Sequence, residues 1–115
     1  MTDKEVRDIL AKEIMGWEPD SGNYSYLEYD DWGSLSIGAK IASWKPDQNW
    51  LQYGMVINAL PEDWFFHIFL AEGGKSWICE AAHEKKEGVG NSSSFCQAAM
   101  TAIAYVLNQE KESNA

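Results

Sequence analysis

The run Trp64-Phe65-Phe66-His67-Ile68-Phe69-Leu70, the turn Glu72-Gly73-Gly74-Lys75 and the run Ser76-Trp77-Ile78-Cys79-Glu80-Ala81-Ala82-His83 together decide the fold. Two apolar, aromatic-rich stretches of strand length flank a glycine pair, which is the signature of an antiparallel hairpin. A two-residue turn pairs Glu72 with Lys75, and every later partner follows from it. One face then receives Leu70 with Trp77, Ile68 with Cys79, Phe66 with Ala81 and Trp64 with His83. The other receives Phe69 with Ile78, His67 with Glu80 and Phe65 with Ala82. Both faces are largely apolar, so the ribbon needs cover on each side, and helices are the usual cover.

Three helices are legible around it. Asp3 caps the first, over residues 3–15, with Val6, Ile9, Leu10 and Ile14 at helical spacing and Gly16 as its stop. Pro46-Asp47 announces the second, with Asp47 as cap, Trp50, Gly54, Ile57 and Leu60 on one stripe, and Pro61 ending it. The third spans residues 93–109, where Phe95, Ala98, Ala99, Ala102, Ile103, Val106 and Leu107 form a wide apolar stripe and the alanines permit close approach to the sheet. Residues 84–94 read as a polar glycine-serine connector, and residues 110–115 as a flexible C-terminal tail. Residues 17–44 read as a long aromatic loop ending in an edge strand through Leu35, Ile37, Ala39 and Ile41. The expected fold is α+β: a three-layer helix-sheet-helix sandwich around a central antiparallel β-hairpin, one domain over residues 1–109.

Composition agrees with a single globular unit. The chain has 115 residues, of which 45% are hydrophobic and 23% charged. No apolar run reaches the roughly 20 residues of a membrane-spanning helix, and the first residues lack a signal segment, so a cytoplasmic protein without membrane contact is expected. Eighteen acids against nine bases give a formal charge of -9, which argues against a nucleic-acid partner. Arg7 is the only arginine. Glu18, Asp20, Glu28, Asp30 and Asp31 form a base-free acidic pole over residues 17–39, which either solubilises the protein or docks a basic host protein as a nucleic-acid mimic. Cys79 and Cys96 show no CxxC spacing and read as small core residues.

The layout resembles the phage ABA sandwich domain family of small phage and prophage proteins. Ile14-Met15-Gly16-Trp17 closing the first helix, Trp44-Lys45-Pro46-Asp47 opening the second and Phe95-Cys96-Gln97-Ala98-Ala99 in the third carry the likeness. The resemblance implies a helix-sheet-helix sandwich of viral origin, placed in the host cytoplasm if phage-encoded. It implies no particular biochemical role.

No catalytic set is visible: no nucleophile with a base, no cofactor motif and no expected metal or cofactor. His67 opposite Glu80 is the one polar pair with acid–base character, and it reads mainly as a structural pair under a helix. His83 points to the other face, which argues against a metal shared by all three. Glu28, Asp30 and Asp31 lack the alternate-oxygen spacing of a calcium loop. Glycines and hydroxyls before the third helix leave N–H groups to cap the helix or to meet a phosphate, with Lys85 and Lys86 adding charge and Asn91, Ser92, Ser93 and Ser94 adding hydrogen bonds. Six tryptophans exceed what a small core readily hides. Trp64 and Trp77 read as core, whereas Trp32, Trp44 and Trp50 are candidates for a subunit seam or a stacking platform. The expectation is a non-enzymatic homo-oligomer that binds a nucleotide-like small molecule such as a host immune signal. The alternative is an acidic inhibitor that docks a host protein through residues 18–31.

Overall fold

A computed structural model describes residues 1–20, 23–25, 28–29, 35–36, 39–40 and 43–113, with side chains over residues 1–18 and 43–110. The elements are α1 (Asp3–Ile9), continued by a π-helical turn (Leu10–Ile14); short strands β1 (Glu18–Asp20), β2 (Asn23–Ser25), β3 (Glu28–Tyr29), β4 (Leu35–Ser36) and β5 (Ala39–Lys40); α2 (Trp50–Ala59); strands β6 (Phe65–Leu70), β7 (Trp77–His83) and β8 (Lys86–Ser92); and α3 (Phe95–Ser113). The fold is α+β, with helices against a three-stranded antiparallel sheet of order β6-β7-β8. Among the described residues, β1, β2 and β5 form a second small sheet and β3 pairs with β4. Trp32 and the side chains of Glu28, Asp30 and Asp31 lie outside the described residues, as do residues 37, 38 and 41 of the edge strand expected over residues 35–41.

The hairpin register is as the two-residue turn dictates: Leu70 pairs with Trp77, Ile68 with Cys79, His67 with Glu80 and Phe65 with Ala82. Its turn differs in detail. The Gly74 N–H donates to the Ala71 carbonyl at 2.9 Å, and Gly73 and Gly74 adopt φ of 92° and 69°. The loop is thus a turn over residues 71–74 closed by a left-handed glycine, a backbone that residues with a Cβ reach only at a cost.

Residues 84–94 correct the expectation of a connector. Lys86–Ser92 is a full strand, paired with β7 from His83↔Lys86 to Trp77↔Ser92. Glu84 and Lys85 make the two-residue turn that joins them, both at positive φ (49° and 69°), the requirement of a type I′ hairpin. The glycines that suggest a loop are instead the inner face of this strand. Gly88 and Gly90 are buried while Val89 between them is exposed. A Cβ on Gly90 would collide with the Ala98 carbonyl and lie 3.0 Å from the Ala102 backbone nitrogen. One on Gly88 would collide with the Ala102 carbonyl. The backbone of α3 therefore rests almost directly on β8, glycine against alanine.

That contact places α3 in the middle of the molecule. Ala98, Ala99, Met100, Ala102, Ile103, Ala104 and Val106 are fully buried around most of its circumference, and the stripe of Gln97, Thr101, Tyr105 and Asn108 reaches solvent. Its other flank packs with Val6, Leu10, Ala11 and Val56 of α1, the π turn and α2 in one cluster. The expected helix on each side of the sheet is thereby corrected, because α1 and α2 gather on α3. Among the described residues no helix covers the opposite sheet face: Phe65 is 64% and Val89 56% exposed, and His67 and Glu80 are exposed. The helix also runs to Ser113, so residues 110–113 are helical where a tail was expected.

Two caps sit one element-step from where composition suggests. Thr2, not Asp3, caps α1, in a reciprocal capping box with Glu5. Asn49, not Asp47, caps α2, accepting from the Gln52 N–H at 3.0 Å. Asp47 has another role. It is 2% exposed and receives both Nε and Nη2 of Arg7, at 2.7 and 2.8 Å. The hydrogen bond to Asp47 raises the Arg7 pKa further. Trp44 Nε1 donates to the Arg7 carbonyl at 2.9 Å and Ser94 Oγ to the Asp47 carbonyl at 3.4 Å. One ion pair thus joins α1, the approach to α2 and the start of α3.

Gly90→Ala forces a methyl group into helix backbone that no rotamer change relieves, and it costs about 3 kcal/mol or more in urea unfolding. Gly54→Ala, in α2 with no atom within 4 Å of the new Cβ, instead stabilises by about 0.5–1 kcal/mol. Arg7→Met leaves a buried carboxylate unpaired and costs about 3–5 kcal/mol. Asp47→Asn costs less, since the Arg7 side chain is 21% exposed and can recover water; equal losses would contradict this account of the pair.

Candidate functional site

The start of α3 gathers part of the residue set expected from sequence. Ser94 Oγ accepts from the Gln97 N–H at 3.3 Å, Ser92 Oγ accepts from the Ser94 N–H at 3.1 Å, and Ser92 donates to Gln97 Oε1 at 2.7 Å. These two hydroxyls serve the cap. Asn91 and Ser93 at the same end are exposed. Beside them Phe95 lies under the Trp50 ring, with centroids 5.5 Å apart and planes 26° from parallel, and it meets Tyr53 and Trp77 edge-on at 5.8 and 5.2 Å. Trp50 is 65% exposed and Leu51 77%. A large aromatic ring is thus held by stacking on one side and bare to water on the other.

Other expected members are elsewhere. Lys85 and Lys86 sit at the far end of β8, six residues of strand from Ser92, or about 20 Å. They do not meet the serines within one chain. Trp44 is 2% exposed, edge-on to Trp17 at 4.7 Å, and offers no contact surface. His67 and Glu80 do face each other in register, but on the open sheet face rather than beneath a helix, with His67 leaning on Phe69 at 4.9 Å. Both thiols are buried and unpaired. Burial pushes Cys79 up to about 11 and Cys96 in the same direction, so neither is a ready nucleophile.

The open face is a three-by-three grid set by the register: Phe65, Ala82 and Glu87; His67, Glu80 and Val89; Phe69, Ile78 and Asn91. Around small Ala82 lies a depression of about 270 Å³, lined by Phe65 and Val89 and by Glu80 and Glu87.

A third arrangement lies at the other end of α3. The His83 ring lies on Trp64, with centroids 4.7 Å apart and planes 5° from parallel. Its Nδ1 is 2.5 Å from Glu110 Oε1 and its Nε2 2.9 Å from Asp63 Oδ2. The His83 side chain is 13% exposed. Burial alone depresses its pKa, and the hydrogen bonds to Glu110 and Asp63 override that and raise it above 6.5. Pairing of the two strands already sets Trp64 level with His83. Glu110, read as tail, and Asp63, in the turn before β6, carry no periodic signal, and only the folded chain brings them to the ring.

No protein-family model matches the chain, and no curated protein matches it in sequence. In structure it is similar to a phage protein from Bacillus cereus ATCC 14579, known from a 2.0 Å crystal structure, with a TM-score of 0.62 over 92% of each chain at 12% identity. At that identity the likeness is one of fold. Among the described residues no helix is long and apolar enough to cross a membrane.

The His83 arrangement predicts a pH dependence. A pKa raised by folding adds stability that is complete below the unfolded value of 6.5 and is lost as pH rises through the folded value. Melting temperature should therefore fall from about pH 6.5 upward, and His83→Gln should flatten that slope in a thermal-denaturation series. An unchanged slope would disconnect His83 from it.

Proposed function

We propose that this chain is a phage accessory protein that binds and does not catalyse: a homo-oligomer that receives a ring-bearing, anionic small molecule of nucleotide type on the Trp50–Phe95 platform. The observation that carries the reading is the exposed Trp50 ring, fixed by its stack on Phe95 next to the first turn of α3. A fixed aromatic face gives about 1–3 kcal/mol per stacked base, and the helix start with exposed Asn91 and Ser93 favours negative charge beside it. The fold likeness to a phage protein supports the viral origin. The raised pKa values of both thiols support a binder over a thiol enzyme.

Self-association fits the bare sheet face, where Phe65 and Val89 stand exposed around a depression. A neighbouring copy is also the natural source of cationic groups near the platform, since Lys85 and Lys86 of the same chain lie at the far end of β8. The acidic segment 18–31 as a dock for a host protein has no comparable observation among the described residues, and the platform reading takes precedence.

Titration with mononucleotides and cyclic dinucleotides, followed by tryptophan fluorescence and melting temperature, tests the ligand. Quenching together with a raised melting temperature, both lost in Trp50→Ala, is the expected result; no response to any nucleotide would sink the reading. Light scattering should give a mass above the 13.0 kDa of one chain, returning to that value in Phe65→Asp.

A further inference from the structure

We propose that Asp63, His83 and Glu84 form a binding site for one divalent first-row transition ion of the Zn2+ type, with Glu110 as the outer carboxylate that orients the imidazole. One ligand atom from each of the three residues lies within 4.8 Å of the other two. Two atoms bound tetrahedrally to one such ion at about 2.1 Å stand about 3.4 Å apart. Closure onto the ion therefore asks the widest pair to draw in by up to about 1.4 Å. The carboxylates can supply it: the Asp63 side chain is 59% exposed, and Glu84 is exposed at the centre of the β7–β8 turn.

The imidazole is the element that distinguishes this cluster from a patch of surface acids. His83 is held on Trp64, and its Nδ1 faces Glu110 at 2.5 Å, leaving Nε2 directed at the Asp63 carboxylate. A histidine whose second ring nitrogen donates to a carboxylate is the usual orientation of a metal-bound imidazole, because that bond sets the tautomer and raises ligand basicity. The ion would take the place of the Nε2 proton, which leaves to solvent. Asp63 and Glu84 together balance its two positive charges.

The donor set selects the ion by chemistry. One imidazole nitrogen and two carboxylate oxygens suit Zn2+, Mn2+ or Co2+, whereas Ca2+ takes oxygen alone and Cu+ seeks sulfur. Three protein ligands leave at least one coordination position for water or an anionic group. The site is at the opposite end of α3 from the Trp50 platform and stands independently of the ligand proposed there.

The test is calorimetric titration of the chelator-treated full chain with ZnCl2, and parallel titration with CoCl2 followed by its visible absorption. The expected result is one ion per chain, with movement of the His83 ring resonances in NMR. Glu84→Gln, on an exposed turn and outside the His83–Asp63–Glu110 hydrogen bonds, should weaken binding at least tenfold while leaving the metal-free melting temperature unchanged. Asp63→Asn should weaken it similarly, and Glu110→Gln by about 10–100-fold. Absence of binding, wild-type affinity in Glu84→Gln, or binding that leaves the His83 resonances unmoved would overturn the proposal.

Discussion

The contact of β8 with α3, glycine beneath alanine, governs the rest of the molecule. Gly88 and Gly90 present bare backbone to the Ala98 and Ala102 region of the helix, at a separation with no room for a Cβ. Small surfaces on both sides let helix and strand approach until their backbones nearly touch, which maximises dispersion contact along the full strand. The helix is thereby drawn inward, and its other apolar flank must be covered too. The first two helices and the π turn supply that cover, and among the described residues no helix lies on the outer sheet face.

The π turn belongs to the same packing. Met15 N–H reaches back to the Leu10 carbonyl and Trp17 N–H to the Ala11 carbonyl, so the helix widens by a residue where it meets α3. Leu10 and Ala11, adjacent in sequence, are both fully buried as a result. The Arg7–Asp47 pair then pins this helix to the segment before α2, with every polar atom of the carboxylate directed at the guanidinium.

The two ends of α3 have opposite chemistry. At the start the helix is capped by serine and flanked by a partly bare aromatic group; at the far end a histidine sits between two carboxylates, one of them from the helix itself. A glutamate in the last turns of a helix opposes its dipole, and an imidazolium beside it offsets that. Nineteen residues of helix, about 28 Å, separate the two features.

The two-residue glycine turn was enough to specify the β6–β7 register, because it pairs Glu72 with Lys75 and every later partner follows from it. The alanine stripe of α3 was also legible as a close-packing surface. Strand β8 was not, since its glycines and serines have the composition of a loop and only the buried–exposed–buried alternation of Gly88, Val89 and Gly90 marks it as a strand. Its identity depends on the helix that lies on it. Likewise Trp44 and Trp50 look alike in sequence, yet one is buried against Trp17 and the other is exposed, because burial depends on which elements converge there. Local periodicity determined the hairpin and the helices; the order of the layers, the bare sheet face and the meeting of Asp63, His83 and Glu110 were decided by long-range packing, whose energies no local pattern encodes.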